Sequence, residues 1–173
     1  VRYHEVKVCK YLEWWQRGGP APEFKSRAPH EVSPSATLVW GLQGALEDVL
    51  AEGLEARFAR HAAAGRAVRR GIAALGLKIV AESEEVASDV VTVVRLPEGI
   101  DEREFREYLL RECHIALGNG EIGPDNIRIG TMGITADLQY ILPVLEGIAD
   151  GLRHFGFACD ATAAMEAARR EMS

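Results

Sequence analysis

Cysteine is scarce in this chain. Cys9, Cys113 and Cys159 are odd in number and widely separated. They form no CxxC pair, so neither a disulfide framework nor a zinc site is indicated. His4, His30, His61, His114 and His154 lack ligand spacing as well, and no metal is expected. Cys113 and His114 are neighbours in sequence, but adjacency alone does not build a nucleophile and its base. Long apolar runs are also missing. None approaches the roughly 20 residues that a helix needs to cross a bilayer, and no signal peptide is visible. A reducing cytoplasm is therefore the expected compartment, with no membrane partner. Positive charge does not dominate: the formal net charge is −6, which argues against a nucleic-acid binder. Arg57, Arg60, Arg66, Arg69 and Arg70 do cluster, but they read as the solvated face of one helix. Lysine is limited to Lys7, Lys10, Lys25 and Lys78. No internal repeat is evident, and no succession of βαβ units would build a large parallel sheet. The first residue is Val1 and not Met, which raises the expectation of an excerpt from a longer protein.

What is present fits one domain with a tail: 173 residues with an ordinary globular balance of apolar and charged side chains. Residues 1–34 read as an N-terminal connecting segment followed by an extended linker, broken by Gly18, Gly19, Pro20 and Pro22. A domain is expected over 35–157, and a helical tail over 158–173. Within the domain, Leu38, Leu42, Ala45, Leu46, Val49 and Leu50 recur at helical spacing. Gly53 marks a break, after which Leu54, Phe58, Ala62, Gly65, Val68 and Ile72 share one face of a second helix. That helix should end at Gly76. Asp101 should cap a helix carrying Phe105, Leu109 and Leu110. Thr135 should cap another, whose apolar stripe runs from Leu138 to Phe155 with Pro143 inside it. Pro143 should kink that helix or leave a carbonyl unpaired. Short β-branched runs at 77–81, 90–96, 115–117 and 127–129 predict strands. The sum is an α+β fold: a small sheet of three or four strands, mainly antiparallel, with helices packed on one face.

Arg128 is the residue most suggestive of chemistry. It lies in Asn126-Ile127-Arg128-Ile129-Gly130-Thr131-Met132-Gly133, after the glycine-rich stretch Leu117-Gly118-Asn119-Gly120-Glu121-Ile122-Gly123-Pro124. On a short strand closed by glycines its guanidinium would have a fixed direction, suited to a bidentate grip on a carboxylate. The plain alternative is a surface arginine on an edge strand. Gly118, Gly120 and Gly123 would shape a loop at a cleft, or supply ordinary turn chemistry.

Several segments, taken in order, resemble one family. They are Val32-Ser33-Pro34-Ser35, Leu42-Gln43-Gly44-Ala45-Leu46, the run from Glu52 to His61, Leu75-Gly76-Leu77, Asp89 to Val94, Leu96 to Gly99, Ile115 to Gly120, and Arg128 to Gly133. From about Pro29 to Phe157 the chain resembles the C-terminal small domain of class V aminotransferases. These are the alanine–glyoxylate and serine–pyruvate type, fold-type I enzymes dependent on pyridoxal phosphate.

The resemblance implies that Arg128 binds the α-carboxylate of a small amino acid, alanine or serine, and of a 2-oxo acid such as glyoxylate or pyruvate. It implies a homodimer in which a hydroxyl near Val32-Ser33-Pro34 reaches the cofactor phosphate of the opposing subunit. Ser33 is the candidate, with His30 behind it. The family usually has a threonine just before the proline or two before it, and this chain does not. A turn residue ahead of a helix is the other reading of Ser33. The Schiff-base lysine of the family lies upstream of everything matched, and none of the four lysines stands in its context. No catalytic residue is therefore expected in the chain itself, which should be inactive alone. A reading of another class is a non-catalytic α+β binding or interaction module that kept the fold without the lysine.

Overall fold

The computed structural model describes residues 36–120 and 125–173. The chain divides into two compact units, residues 1–47 and 48–173. In the first, the described residues belong to helix α1, Ala36–Glu52, which crosses the division. Helical spacing correctly marks α1 as a helix, but its apolar side chains do not join a core: Leu38 is 75% exposed and Leu50 77%.

The second unit holds the core. Helix α2, Leu54–Ala74, is followed by strand β1, Lys78–Ile79, and strand β2, Val91–Arg95. Helix α3 is Glu102–Glu112, strand β3 is Gly118–Asn119 and strand β4 is Asn126–Gly130. A 3-10 turn, Gly133–Thr135, leads into helix α4, Leu138–His154, and helix α5, Ala161–Glu171. The strands form one four-stranded sheet in the order β1-β2-β4-β3, and each pairing is antiparallel.

Local chemistry sets the ends of these elements. Leu75 caps α2, and Gly76 follows with φ +81. That left-handed turn lets Gly76 N–H reach Ala73 O and Leu77 N–H reach Ile72 O, the paired bonds of a glycine-terminated helix. Asp101 accepts the Glu104 N–H at 2.9 Å and starts α3. The start of α4 differs from the sequence expectation. Asp137 caps it, accepting the Gln139 N–H at 2.9 Å. Thr135 instead donates its hydroxyl to Met132 O at 3.0 Å within the preceding turn. A carboxylate next to the first helical residue outcompetes a hydroxyl two positions further out. Pro143 lies within α4 without ending it. Gln139 and Pro143 are both exposed, so the carbonyl left without an amide donor stands at the solvent face.

The expected strand at 115–117 is also displaced, to Gly118–Asn119. Ile115 belongs to the exit from α3: its N–H bonds to Leu109 O at 2.9 Å, and its side chain packs under Gly147 of α4. The strand expected at 77–81 is reduced to Lys78–Ile79, although Val80 N–H still bonds to Val93 O at 2.9 Å.

Strand alternation divides the sheet. Thr92 and Val94 of β2 and Ile127 and Ile129 of β4 are buried on the helix-covered side. Helices α2 and α3 pack on the strands, α4 contacts both helices, and α5 packs on α2 and α4. Small residues allow the close approaches. A side chain at Gly71 would strike Leu145, and one at Gly151 would strike Phe105. Ala164 and Ala168 of α5 are fully buried, so the terminal helix contributes to the same core. The arginines of α2 are only in part a solvated face: Arg70 is exposed, but the others are half-buried or buried. Arg69 is buried and bonds to Glu84 at 2.7 Å and to Ser88 O at 3.1 Å. Arg66 and Arg70 pair with Glu171 of α5, and Arg57 and Arg60 with Glu52.

Candidate substrate-carboxylate site

The other side of the sheet carries Val91, Val93 and Arg95 of β2, and Asn126, Arg128 and Gly130 of β4. Arg128 is half-buried at the centre of this face. Its strand lies between β2 and β3, with Val93 opposite on one side and Gly118 opposite on the other. The edge-strand alternative is thereby excluded: β4 is an interior strand, and both ladders hold its backbone.

Gly118 is a glycine for reasons of space. A Cβ built there would lie 3.0 Å from Arg128 Nε and 3.2 Å from Nη2, so the guanidinium rests over its backbone. Gly120 is similar, because a Cβ there would lie 2.9 Å from Asn126 O. Neither residue has the positive φ that turn chemistry would require. Gly123 lies outside the described residues, as do Ser33 and His30.

The turn after β4 is fastened on two sides. Thr131 N–H bonds to Val90 O at 2.9 Å, and its hydroxyl donates to Asp89 O at 3.1 Å. Gly133, at φ +61, donates its N–H to His61 Nε2 at 3.0 Å. Arg60 Nη1 donates to Gly133 O at 2.7 Å and to Ala136 O at 3.2 Å. Arg60 is in turn held by Glu52, with Nε 2.5 Å from Oε1 and Nη2 2.9 Å from Oε2. Arg60 and Arg57 hold the Glu52 carboxyl well below its usual value of 4.5, at about 2.

Sequence reasoning missed His61 and Arg60. The signal was there: positions 61, 65, 68 and 72 share the buried stripe of α2, and His61 opens it, whereas Leu54 and Phe58, expected on the same face, stand exposed. A polar residue at a core position needs partners, and here the partners lie in the turn after Arg128.

Cys113 and His114 lie at the exit from α3, where the Cys113 thiol turns to Asp150. Burial and the nearby Asp150 carboxylate push the Cys113 thiol up, away from the nucleophilic thiolate. The thiol donates to Asp150 at 3.9 Å, beside the Tyr108 hydroxyl at 2.9 Å from the same oxygen. Among the described residues no group of His, Cys, Asp or Glu could hold a metal ion, and no helix is long and apolar enough to cross a membrane.

No protein-family model matches the chain. Individual proteins do. Pyridoxamine–pyruvate transaminase of Mesorhizobium japonicum is 34% identical over 156 residues, 87% of this chain and 37% of that protein. Serine–glyoxylate aminotransferase of Arabidopsis thaliana is 36% identical over 127 residues, 72% of this chain and 31% of the other. The crystal structure of pyridoxamine–pyruvate aminotransferase from Mesorhizobium loti superposes with a TM-score of 0.79 at 33% identity, covering 84% of this chain and 38% of that one. That of ureidoglycine–glyoxylate aminotransferase from Bacillus subtilis gives 0.78 at 29% identity, covering 95% and 41%.

The chain is homologous to the C-terminal part of class V aminotransferases. It spans between 27% and 41% of the length of the relatives it matches. The chain has an α+β fold with an antiparallel four-stranded sheet, as the sequence resemblance implies. The family uses pyridoxal phosphate. The described residues do not fit that group by themselves: Lys78 is their only lysine, and it is exposed on edge strand β1.

Proposed function

We propose that the chain is the substrate-recognition part of a pyridoxal-phosphate-dependent aminotransferase, and that Arg128 grips the substrate α-carboxylate. The full-length enzyme would move an amino group between a small amino acid, alanine or serine, and a 2-oxo acid such as glyoxylate or pyruvate. The observation that carries this reading is the placement of Arg128. It stands at the middle of an interior strand, half-buried, with its guanidinium laid over the backbone of Gly118. A planar cation held this way offers a carboxylate two parallel hydrogen bonds and fixes the orientation of the adjoining Cα. Relatives named for reactions of amino acids with glyoxylate support it.

The Schiff-base lysine and most cofactor contacts would come from residues other than those described. The cofactor, when bound, supplies the electron sink for the reaction. Ser33 and His30 remain candidates for reaching its phosphate across a homodimer. A cytoplasmic location and a role in amino-acid metabolism agree with this reading. The chain alone should not transaminate alanine with glyoxylate, because none of its four lysines stands in the sequence context of the family's Schiff-base lysine.

The test is steady-state kinetics of the full-length enzyme. Arg128→Ala should raise KM for both the amino and the oxo acid and lower kcat/KM by on the order of 2–5 kcal/mol. Arg128→Lys should recover little, because a point charge cannot reproduce the planar fork. Cofactor binding should be unchanged. Weakened cofactor binding with intact substrate kinetics would make Arg128 a phosphate-side or structural residue. Turnover by the 173-residue chain alone would show the cofactor site to be misplaced.

A further inference from the structure

We infer that His61, with Arg60 beside it, is a positioning residue for the Arg128 site and acts through the turn that follows β4. The inference rests on the carboxylate role proposed for Arg128. Consecutive residues of α2 take hold of both polar backbone groups of Gly133: the N–H through His61 Nε2 at 3.0 Å, the carbonyl through Arg60 Nη1 at 2.7 Å. His61 Nδ1 lies 2.7 Å from Arg57 O. Because Nε2 accepts from Gly133, only the neutral ring with its proton on Nδ1 makes both bonds, and the geometry assigns that tautomer.

The imidazole is buried, so its two bonds are shielded from competing water. Gly133 is separated from the end of β4 by only Thr131 and Met132. Thr131 is tied to Asp89 and Val90 at the entrance to β2. Met132 reaches back along the strand, its Cε 3.7 Å from where a Cβ of Gly130 would stand. Gly130 shares the Arg128 face. The helix therefore holds the turn, and the turn fixes both the end of the arginine's strand and the Met132 side chain beside it. Losing the His61 bond would free Gly133 N–H and let this segment shift relative to α2. A small displacement of a bidentate site is felt in substrate binding, since both bonds need the carboxylate in one place.

The experiment is a double-substitution cycle in the full-length, cofactor-loaded enzyme, with KM and kcat measured for His61→Phe, Arg128→Ala and the pair. Phenylalanine fills the ring's volume and removes both nitrogens. His61→Phe should raise KM for amino and oxo acid by about three- to thirtyfold, with a smaller change in kcat. It should add nothing to the loss already present in Arg128→Ala. His61→Gln, which keeps an acceptor and a donor, should recover part of the KM. A raised KM in Arg128→Ala beside an unchanged one in His61→Phe overturns this inference alone. So does an effect of His61→Phe that adds in full to that of Arg128→Ala, because a merely structural role adds. An Arg128→Ala enzyme with unchanged KM overturns the carboxylate reading and this inference with it. Should the phenylalanine variant not fold, Arg60→Met enters the same cycle with the same expected and contrary results.

Discussion

At the scale of single residues, the glycines around Arg128 give two predictions of opposite kind. At Gly118 a methyl group would meet the flexible guanidinium of Arg128. Gly118→Ala should therefore leave the melting temperature close to wild type and raise KM for carboxylate substrates on the order of tenfold or more in the full-length enzyme. At Gly120 the obstacle is the backbone of Asn126, which cannot swing aside. Gly120→Ala should cost roughly 1–3 kcal/mol of stability, read by urea denaturation. Equal effects of the two on stability would contradict the placement of the guanidinium. Glu52 gives a pH prediction. Its carboxyl is depressed from 4.5 to about 2 by Arg60 and Arg57, so its contribution is complete above pH 4.5 and fades as pH falls toward 2. Glu52→Gln should flatten the stability–pH curve in that window, and an unchanged slope would show that the pair contributes nothing. At this scale the sequence marked Arg128 through its flanking isoleucines and glycines. It did not mark His61, because a histidine scanned for ligand spacing is not compared with the apolar stripe it interrupts.

At the scale of elements, apolar spacing identified helices α1 to α4 and alanine-rich composition the terminal α5, while ends and faces needed tertiary information. Thr135 and Asp137 are both acceptable caps, and only the fold shows Thr135 already engaged with Met132 O. Asp137→Ala should destabilise by about 0.5–2 kcal/mol, and Thr135→Ala by less, in thermal or urea melts. The reverse order would restore Thr135 as the cap. The strand expected at 115–117 failed for a physical reason. Ile115 is β-branched and apolar, as a strand residue would be, but it is used to seal the exit of α3 against Gly147. Helix α1 shows the opposite case. Its stripe at helical spacing is sound evidence for a helix and says nothing about what covers it; Leu38 and Leu50 stand exposed.

At the scale of the whole molecule, the arrangement is one of division. The antiparallel sheet turns one face to the helices for stability and presents Arg128 on the other. The α+β class followed from the alternation of short β-branched runs with amphipathic stretches. The strand order β1-β2-β4-β3 did not, since pairing between distant segments is not encoded locally. That order makes β4 interior and so gives Arg128 its rigid setting. The most direct test of the central claim compares alanine with alaninamide, which lacks the carboxylate, as ligands of the full-length enzyme with and without Arg128. Arg128→Ala should weaken alanine binding by on the order of 2–5 kcal/mol and leave alaninamide binding unchanged. An equal loss for both ligands would contradict it, because the arginine would then be acting on something other than the carboxylate.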